Sequence, residues 1–519
     1  MVLNSFKKGF QVKLMSLFVV VFLAAISSDA LATAAPEEPA DLVINHARII
    51  DGTGTPAYRG NVYIAGDRIV EIDRDNASKR SATRHIDAMG KVLSPGFIDL
   101  HSHGSPLRHG DFNNFTAMGV TTISLGQDGS SPDSRNLAKW IAKVHKNGVT
   151  PNIAMFIGHG TLRRLAGVNG EVISAKQQQE MENLLSDNLP YVFGMTTGLE
   201  YSPALYAKPQ EIQALAKIVG REDKLIMSHL RNEDDSALQT SIRELAEQGQ
   251  YARVHVSHLK SVYGKGQQRG AQILSWLQSA RDDGIEISAD VYPYTASYTN
   301  IGIVFPEWAK TDAQLAIAVN NRRAELETFI RNKVMARNGP QATLFGTPPY
   351  TGKTLAQVAV EAGKPFEQVL IDDIGPRGAS AAYFVMDDDL QSRLVVDNNI
   401  AIASDGSPTG FHPRGHGTFA KVLQHYVRSR ELLTLEQAIH KMTGLPAQIL
   451  TLKQRGVIKE GNFADLVIFE PQQVKANASY SEPHQLASGF EYVLVNGQLV
   501  LANGTFSTVR PGRVLQPDK

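Results

Sequence analysis

The strongest constraint on this chain's fold is an alternation. Short β-rich runs fall near residues 92–101, 120–126, 151–158, 191–198, 224–229, 252–258, 285–290 and 399–405. Helical patterns separate most of them, at 134–147, 175–187, 209–221, 234–249 and 267–283. Parallel strands need a crossover to reach their neighbours, so eight such units predict an α/β fold, a (β/α)8 TIM-like barrel. Ser94 to Leu450 covers 357 residues, against about 250 for a plain barrel. The excess lies between strands seven and eight, about 291–398. An insertion spanning 299–395 is expected there, before the last barrel strand, as a lid over the active site. The competing arrangement is two separate α/β domains with a junction near 300.

Both ends of the chain read as β structure. Leu42-Val43-Ile44, Val62-Tyr63-Ile64 and Ile69-Val70-Glu71-Ile72 are β-rich runs within 37–93. The stretch 451–519 matches them with 464–469, 492–495 and a turn at Asn496-Gly497, a strong hairpin signal. These ends predict one small β-sandwich domain built from both termini, flanking a barrel domain at 94–450.

Composition narrows the chemistry. The chain has 52 basic and 52 acidic side chains and no cysteine. Balanced charge argues against a nucleic-acid partner. Without cysteine there are no disulfides, Cys-rich zinc fingers, iron–sulfur clusters or thiol nucleophiles. Any metal site must use His and carboxylates. At the start, Lys7, Lys8 and Lys13 precede a short apolar run from Leu14 to Ile26, and Ala30-Leu31-Ala32 follows. That order is a secretory signal peptide over 1–32, and the apolar run is too short to span lipid. The expectation is an exported product, periplasmic or secreted, with no membrane partner after cleavage.

Active sites of such barrels lie at the C-terminal ends of the strands. Strand one ends in His101-Ser102-His103, strand five in His229, strand six in His255-Val256-Ser257-His258 and strand eight in Asp405. His101 and His103 share a face by strand alternation and suit one metal ion. His255 and His258 differ by an odd number of positions, so only one is expected to face the axis. His258 is nearer the C-terminal end, and His255 is expected to face the surrounding helices. His109, His159, His412 and His416, near expected loops, read as surface or supporting groups.

The motif Pro95-Gly96-Phe97-Ile98-Asp99-Leu100-His101-Ser102-His103 resembles the first-strand motif of the amidohydrolase superfamily. The stretch Gly456 to Val467 is similar to that superfamily's return into its small β domain. Within it the chain resembles the N-acyl-D-amino-acid deacylases, or D-aminoacylases. The supporting motifs are Gly198-Leu199-Glu200-Tyr201-Ser202-Pro203, Ser228-His229-Leu230-Arg231-Asn232-Glu233 and Val256-Ser257-His258-Leu259-Lys260. Asp290-Val291-Tyr292-Pro293-Tyr294, Ser404-Asp405-Gly406 and His412-Pro413-Arg414-Gly415 add to them.

The resemblance implies a metal-dependent hydrolase of a linear amide, carrying one or two Zn²⁺ ions. It places Asp405 as the catalytic proton carrier. His229 and His258 hold the main metal, and His101 with His103 form a second site. Many relatives place a cysteine ligand just after strand two, where this chain has Asp128. Oxygen is harder than sulfur, so such a site is expected to admit Mn²⁺ or Co²⁺ as well. Glu200 after strand four ranks second as the anionic ligand. Arg414 suits the substrate's α-carboxylate through a bidentate grip, and Tyr201, Lys260 and Ser297 match substrate-contacting positions. Gln127 and Tyr292 lie nearby without an assigned role. The leading function is hydrolysis of an N-acyl-D-amino acid, a small-molecule substrate. The alternatives are an exported dipeptidase or carboxypeptidase on D-residue peptides, a hydantoinase-like cyclic-amide hydrolase, and a non-catalytic binding protein on the same barrel.

Overall fold

The computed structural model describes residues 38–517. The expected signal peptide lies outside the described residues. Eight parallel strands form the barrel: β1 (Phe97–Asp99), β2 (Val120–Leu125), β3 (Asn152–Met155), β4 (Gly194–Gly198), β5 (Leu225–His229), β6 (Arg253–Val256), β7 (Ile287–Val291) and β8 (Ile400–Ile402). Neighbours pair in parallel from β1 to β3 and from β4 to β8. Beyond a break at Phe156, β3 continues as Ile157–Gly158 and pairs with β4. Ser102 bridges Gly406 to close the ring between β1 and β8. Pairing of Ala289 with Ile400 places both sides of the long gap in one sheet, so the two-domain arrangement with a junction near 300 does not occur.

The strand alternation sorts side chains into two layers. Ile226, Val254, Val256, Ala289, Val291 and Ile402 pack outward against helix residues such as Leu215, Leu245, Ile273 and Leu277. Each buried Val, Leu or Ile among them contributes about 1.5–3 kcal/mol over exposure. Ile98, Leu100, Ala154, Phe156, Leu225, Met227, Ala401 and Ala403 form a separate cluster that fills the interior. Helices start where the sequence provides caps. Ser174 and Gln177 form a reciprocal capping box at the head of the helix Ala175–Asn188.

The two chain ends share one nine-stranded sheet. Leu466–Phe469 from the C-terminal part pairs antiparallel with Val92–Pro95 from the N-terminal part. One apolar cluster draws on both halves, with Leu42, Ile44, Val62 and Ile64 against Leu466, Ile468 and Leu494. The opposite face, including Phe469, Phe490 and Val493, joins the barrel's outer core. At the expected hairpin, Asn496 and Gly497 have φ of 48° and 77°, both positive as a type I′ turn requires.

Between β7 and β8 stands a substructure with its own core. Ser297–Asn300, Ser380–Tyr383 and Thr343–Phe345 make an antiparallel sheet. The 25-residue helix Asp312–Ala336 packs on it through Leu326, Ile330 and Val334. The next helix, Asp388–Val395, belongs to the barrel, because Leu390 and Leu394 join the outer core.

Candidate metal centre and active site

The C-terminal ends of β1 and β8 are tied together beneath the site. Asp99 accepts from the Ser404 amide at 2.9 Å and the Ser404 hydroxyl at 2.5 Å. The Asp405 amide donates to the His101 carbonyl at 2.8 Å. These bonds bring Asp405 alongside His101 and His103.

Asp128 stands at the centre. Its carboxylate lies 3.3 Å from Nε2 of His101, 3.3 Å from Nε2 of His103, 3.2 Å from Nε2 of His258 and 3.8 Å from Nδ1 of His229. No other carboxylate on the site is so close to all four rings. The loop that carries it is held by Thr196 on β4. The Thr196 hydroxyl donates to the Gly126 carbonyl at 2.5 Å and accepts from the Gly129 amide at 3.1 Å. At Gly198, a Cβ would meet the Asp128 carbonyl at 2.1 Å, so only glycine fits that contact. Glu200, the second choice for the anionic ligand, instead stands 3.1 Å from Nε2 of His229, behind the nitrogen that faces Asp128.

His229 Nδ1 and His258 Nε2 are 3.0 Å apart. On the far side of His258, Nδ1 lies 3.2 Å from Glu233 Oε1 and 2.7 Å from Lys260 Nζ. Lys260 donates to Glu233 at 2.6 Å. His255 departs from expectation. Its neighbours Val254 and Val256 face the helices, and His255 points the other way, to Asp290 at 2.8 Å and Ser288 at 2.8 Å. Both histidines of this strand are on the inner side because the pleat ends at Val256. His258 follows with a φ of 36°, which resets the alternation. Asp290 also accepts from the His258 amide at 2.7 Å, so His255 and Asp290 support the turn that presents His258.

The charges are mutually dependent. Burial disfavours ionisation of Asp128, but the charges of His101 and His258 outweigh it and hold the carboxyl well below its usual range. Burial disfavours protonation of His103, and bonds to Asp128 and Asp405 reverse this, raising it to about 9. Burial and Lys260 oppose protonation of His258, while Asp405, Asp128 and Glu233 carry it to about 10. Burial likewise opposes the Asp405 carboxylate, and Arg414 together with His258 holds it far below normal. Arg414 Nη1 is 2.6 Å from Asp405 Oδ2, and His103 Nε2 is 3.1 Å from Oδ1.

A cavity of about 290 Å³ opens onto this cluster. Tyr201, Lys260, Ser297 and Arg414 all line it. The Tyr201 ring packs on His229 with centroids 4.6 Å apart, and the Ser297 hydroxyl is buried without a hydrogen-bond partner. His412 also lines the cavity. It is buried, bonds to the Ala296 carbonyl at 3.1 Å and accepts from the Arg414 amide at 3.0 Å, so it positions Arg414. His416 is buried too, and His159 is enclosed, 2.8 Å from Glu211; neither is a surface group. Gln127 donates to Ser124 and the Leu100 carbonyl. Tyr292 presents its ring to the Arg414 guanidinium at 4.9 Å. The roles of Glu233 and Asp290 are not legible in the sequence, although both lie inside the deacylase-like motifs Ser228–Glu233 and Asp290–Tyr294. The i,i+4 spacing of His229 and Glu233 was the one available signal.

The donor set fits Zn²⁺. Asp128, His229 and His258 offer ligand atoms within 4.8 Å of one another, and so do His101, His103, Asp128 and Asp405. His101 is fully buried; Nδ1 has no hydrogen-bond partner, and Nε2 faces only the carboxylates of Asp128 at 3.3 Å and Asp405 at 3.7 Å, outside hydrogen-bond geometry. A buried imidazole nitrogen without a hydrogen bond is costly, and a metal ion between Nε2 and these carboxylates removes that cost at Nε2. Imidazole and carboxylate donors with an adjacent open cavity are the chemistry of a catalytic rather than a structural zinc site.

A parallel barrel with this centre at its C-terminal mouth defines a metal-dependent amidohydrolase. The Amidohydrolase family model matches residues 341–501. An N-acyl-D-glutamate deacylase of Alcaligenes xylosoxydans xylosoxydans is 32% identical over 93% of this chain and 98% of its own. The zinc-bound N-acyl-D-glutamate deacylase of Bordetella bronchiseptica, solved with a phosphonate mimic of the tetrahedral intermediate, superposes with a TM-score of 0.79. It is 30% identical and covers 92% of this chain and 100% of its own. A solved D-aminoacylase gives 0.80 at 29% identity, with the same coverage. The chain belongs to the N-acyl-D-amino-acid deacylase family.

Proposed function

We propose that this enzyme hydrolyses the linear amide of N-acyl-D-amino acids, giving a carboxylate and a free D-amino acid. The observation that carries this reading is the placement of Asp405 and Arg414 together beside the four-histidine cluster, at one cavity. When bound, Zn²⁺ supplies Lewis acidity toward the amide carbonyl and acidifies water to near neutrality. Arg414 binds the α-carboxylate, and Lys260, Tyr201 and Ser297 line the same space. Asp405 takes one proton from the attacking water and delivers it to the leaving nitrogen. The C–N bond breaks as the new C–O bond is kept. A cyclic amide offers Arg414 no free carboxylate, and the retained Asp405 argues against a purely binding role.

The test is amine release by the zinc-loaded enzyme from paired N-acyl-D, N-acyl-L and D-residue dipeptide substrates. Release from the N-acyl-D substrates is expected, and none from any pair with metal bound would sink the reading. Asp405→Asn should abolish turnover while zinc content stays unchanged. From the order of Lys7, Lys8 and Lys13, the apolar run and Ala30-Leu31-Ala32, we also infer export with cleavage after Ala32. N-terminal sequencing of the product from fractionated cells tests this, and an intact Met1 in the cytoplasmic fraction would refute it.

A further inference from the structure

The cavity carries one cation the mechanism above does not use. Arg337 caps the end of the inserted helix Asp312–Ala336 and lines the cavity, with only 3% of its surface exposed. Its Nε is buried without a hydrogen-bond partner. The other lining cations each have a carboxylate at 2.6 Å, Lys260 with Glu233 and Arg414 with Asp405. Among the described residues no carboxylate comes within 4.0 Å of Arg337. Asp234, which also lines the cavity, is 3.6 Å from Lys333, and Glu200 is engaged by His229. The face of Arg337 is covered by the Tyr383 ring, 4.8 Å from its centroid. That contact favours a cation but leaves its charge unneutralised.

A buried charge without a counter-ion is costly, and a cost retained on a cavity wall has a natural counterpart in a bound anion. We propose that Arg337 binds a second carboxylate of the substrate. The favoured substrate then carries two, one at Arg414 and one at Arg337, the second borne by the amino-acid side chain or by the acyl group. This rests on the deacylase reading and narrows it.

The test compares kcat/KM of the zinc-loaded full-length enzyme across two matched pairs. N-acetyl-D-glutamate against N-acetyl-D-glutamine places the charge on the side chain. N-succinyl-D-alanine against N-butyryl-D-alanine places it on the acyl group. One dicarboxylate should exceed its neutral partner by about tenfold or more, the scale of a charge-assisted hydrogen bond, and the pair that does so identifies the source. In Arg337→Met that ratio should collapse to near unity while the neutral substrate is unaffected, and Arg337→Lys should retain part of it. No dicarboxylate preference in the unmodified enzyme overturns the proposal even if Arg337→Met fails to fold. Equal losses for charged and neutral substrates in a folded Arg337→Met also overturn it. Turnover of neutral substrates without a charge preference removes only the role of Arg337. No turnover of any N-acyl-D-amino acid removes the deacylase reading itself.

Discussion

Glu233→Gln separates the site's inner ligands from the groups that orient them. Glu233 touches Lys260 at 2.6 Å and His258 Nδ1 at 3.2 Å, and Lys260 comes within 2.7 Å of the same ring nitrogen. For His258 Nε2 to offer its lone pair to a metal beside Asp128, the ring proton must sit on Nδ1 facing Glu233, with the Lys260 ammonium turning its own protons to Glu233 and the His258 carbonyl. A glutamine keeps the shape but can turn its NH₂ toward Nδ1, which favours the tautomer with Nε2 protonated and unable to ligate. Loss of such an outer partner costs about 10–100-fold in metal affinity, or about 1.4–2.7 kcal/mol.

The same substitution leaves Lys260 short of a charge. At 2.6 Å the pair's attraction is about 6 kcal/mol at an effective dielectric of about 20. Desolvation offsets much of that, and breaking a buried pair costs about 3–5 kcal/mol. The two effects are separable. Zinc affinity is measured by competition with a chromophoric chelator, and stability by denaturant unfolding of the metal-free protein. Adding Lys260→Met to Glu233→Gln should restore stability and leave zinc affinity low. A folded Glu233→Gln protein that binds zinc within about twofold of the parent, against the 10–100-fold expected, would refute the tautomer argument.

Three further outcomes follow from the geometry. Asp128→Ala should lower zinc content by at least one ion per chain, measured by elemental analysis, and unchanged content would remove Asp128 from the ligand set. Thr196→Val unties both ends of the Gly126–Gly129 loop, with about 1–3 kcal/mol for each backbone group left unpaired. It should shift the visible spectrum of the Co²⁺-loaded protein and lower kcat more than it changes KM; an unshifted spectrum counts against this role. Lys441 is buried beneath β8, with Nζ donating to the Asp397 and Ile400 carbonyls, and burial lowers it from 10.5 to about 7. The unfolded chain therefore holds more protons than the native state between those values, and stability rises with pH across that window. Lys441→Met should remove a slope of up to about 1.4 kcal/mol per pH unit from denaturant unfolding between pH 7.5 and 9.5; equal slopes in both proteins would refute it.

The barrel was legible because its signal is local and repeated. Each predicted run overlaps a strand, and helices such as Ala175–Asn188 and Pro209–Arg221 fall within a residue of the expected bounds. The turn at Asn496-Gly497 was readable because positive φ at two successive residues favours so few side chains. Arg337 was not readable. It reaches the cavity from the end of a helix in the inserted segment, and no spacing along the chain encodes that return. Glu233 sits inside a family-like motif, but what it does depends on Lys260 and His258 from the end of the next strand.

The error over His255 has a physical cause that extends to the whole site. Alternation assigns faces only while the backbone stays pleated, and the groups that meet at the mouth lie beyond that limit. Asp128 follows β2 by three residues, His258 follows β6 by two and Asp405 follows β8 by three, with φ of 53°, 36° and 50°. Left-handed backbone at non-glycine residues costs about 1–3 kcal/mol each unless the surroundings over-determine it. Here they do. Thr196 fixes the loop around Asp128, Asp290 fixes the His258 amide, and the His101 carbonyl fixes the Asp405 amide. Each strand therefore stops, turns its last polar side chain across the mouth, and is held there by another strand of the ring or its carboxyl end. Convergence of three such turns on one point requires a closed ring of strands, so the strained residues and the barrel that holds them are one structural solution.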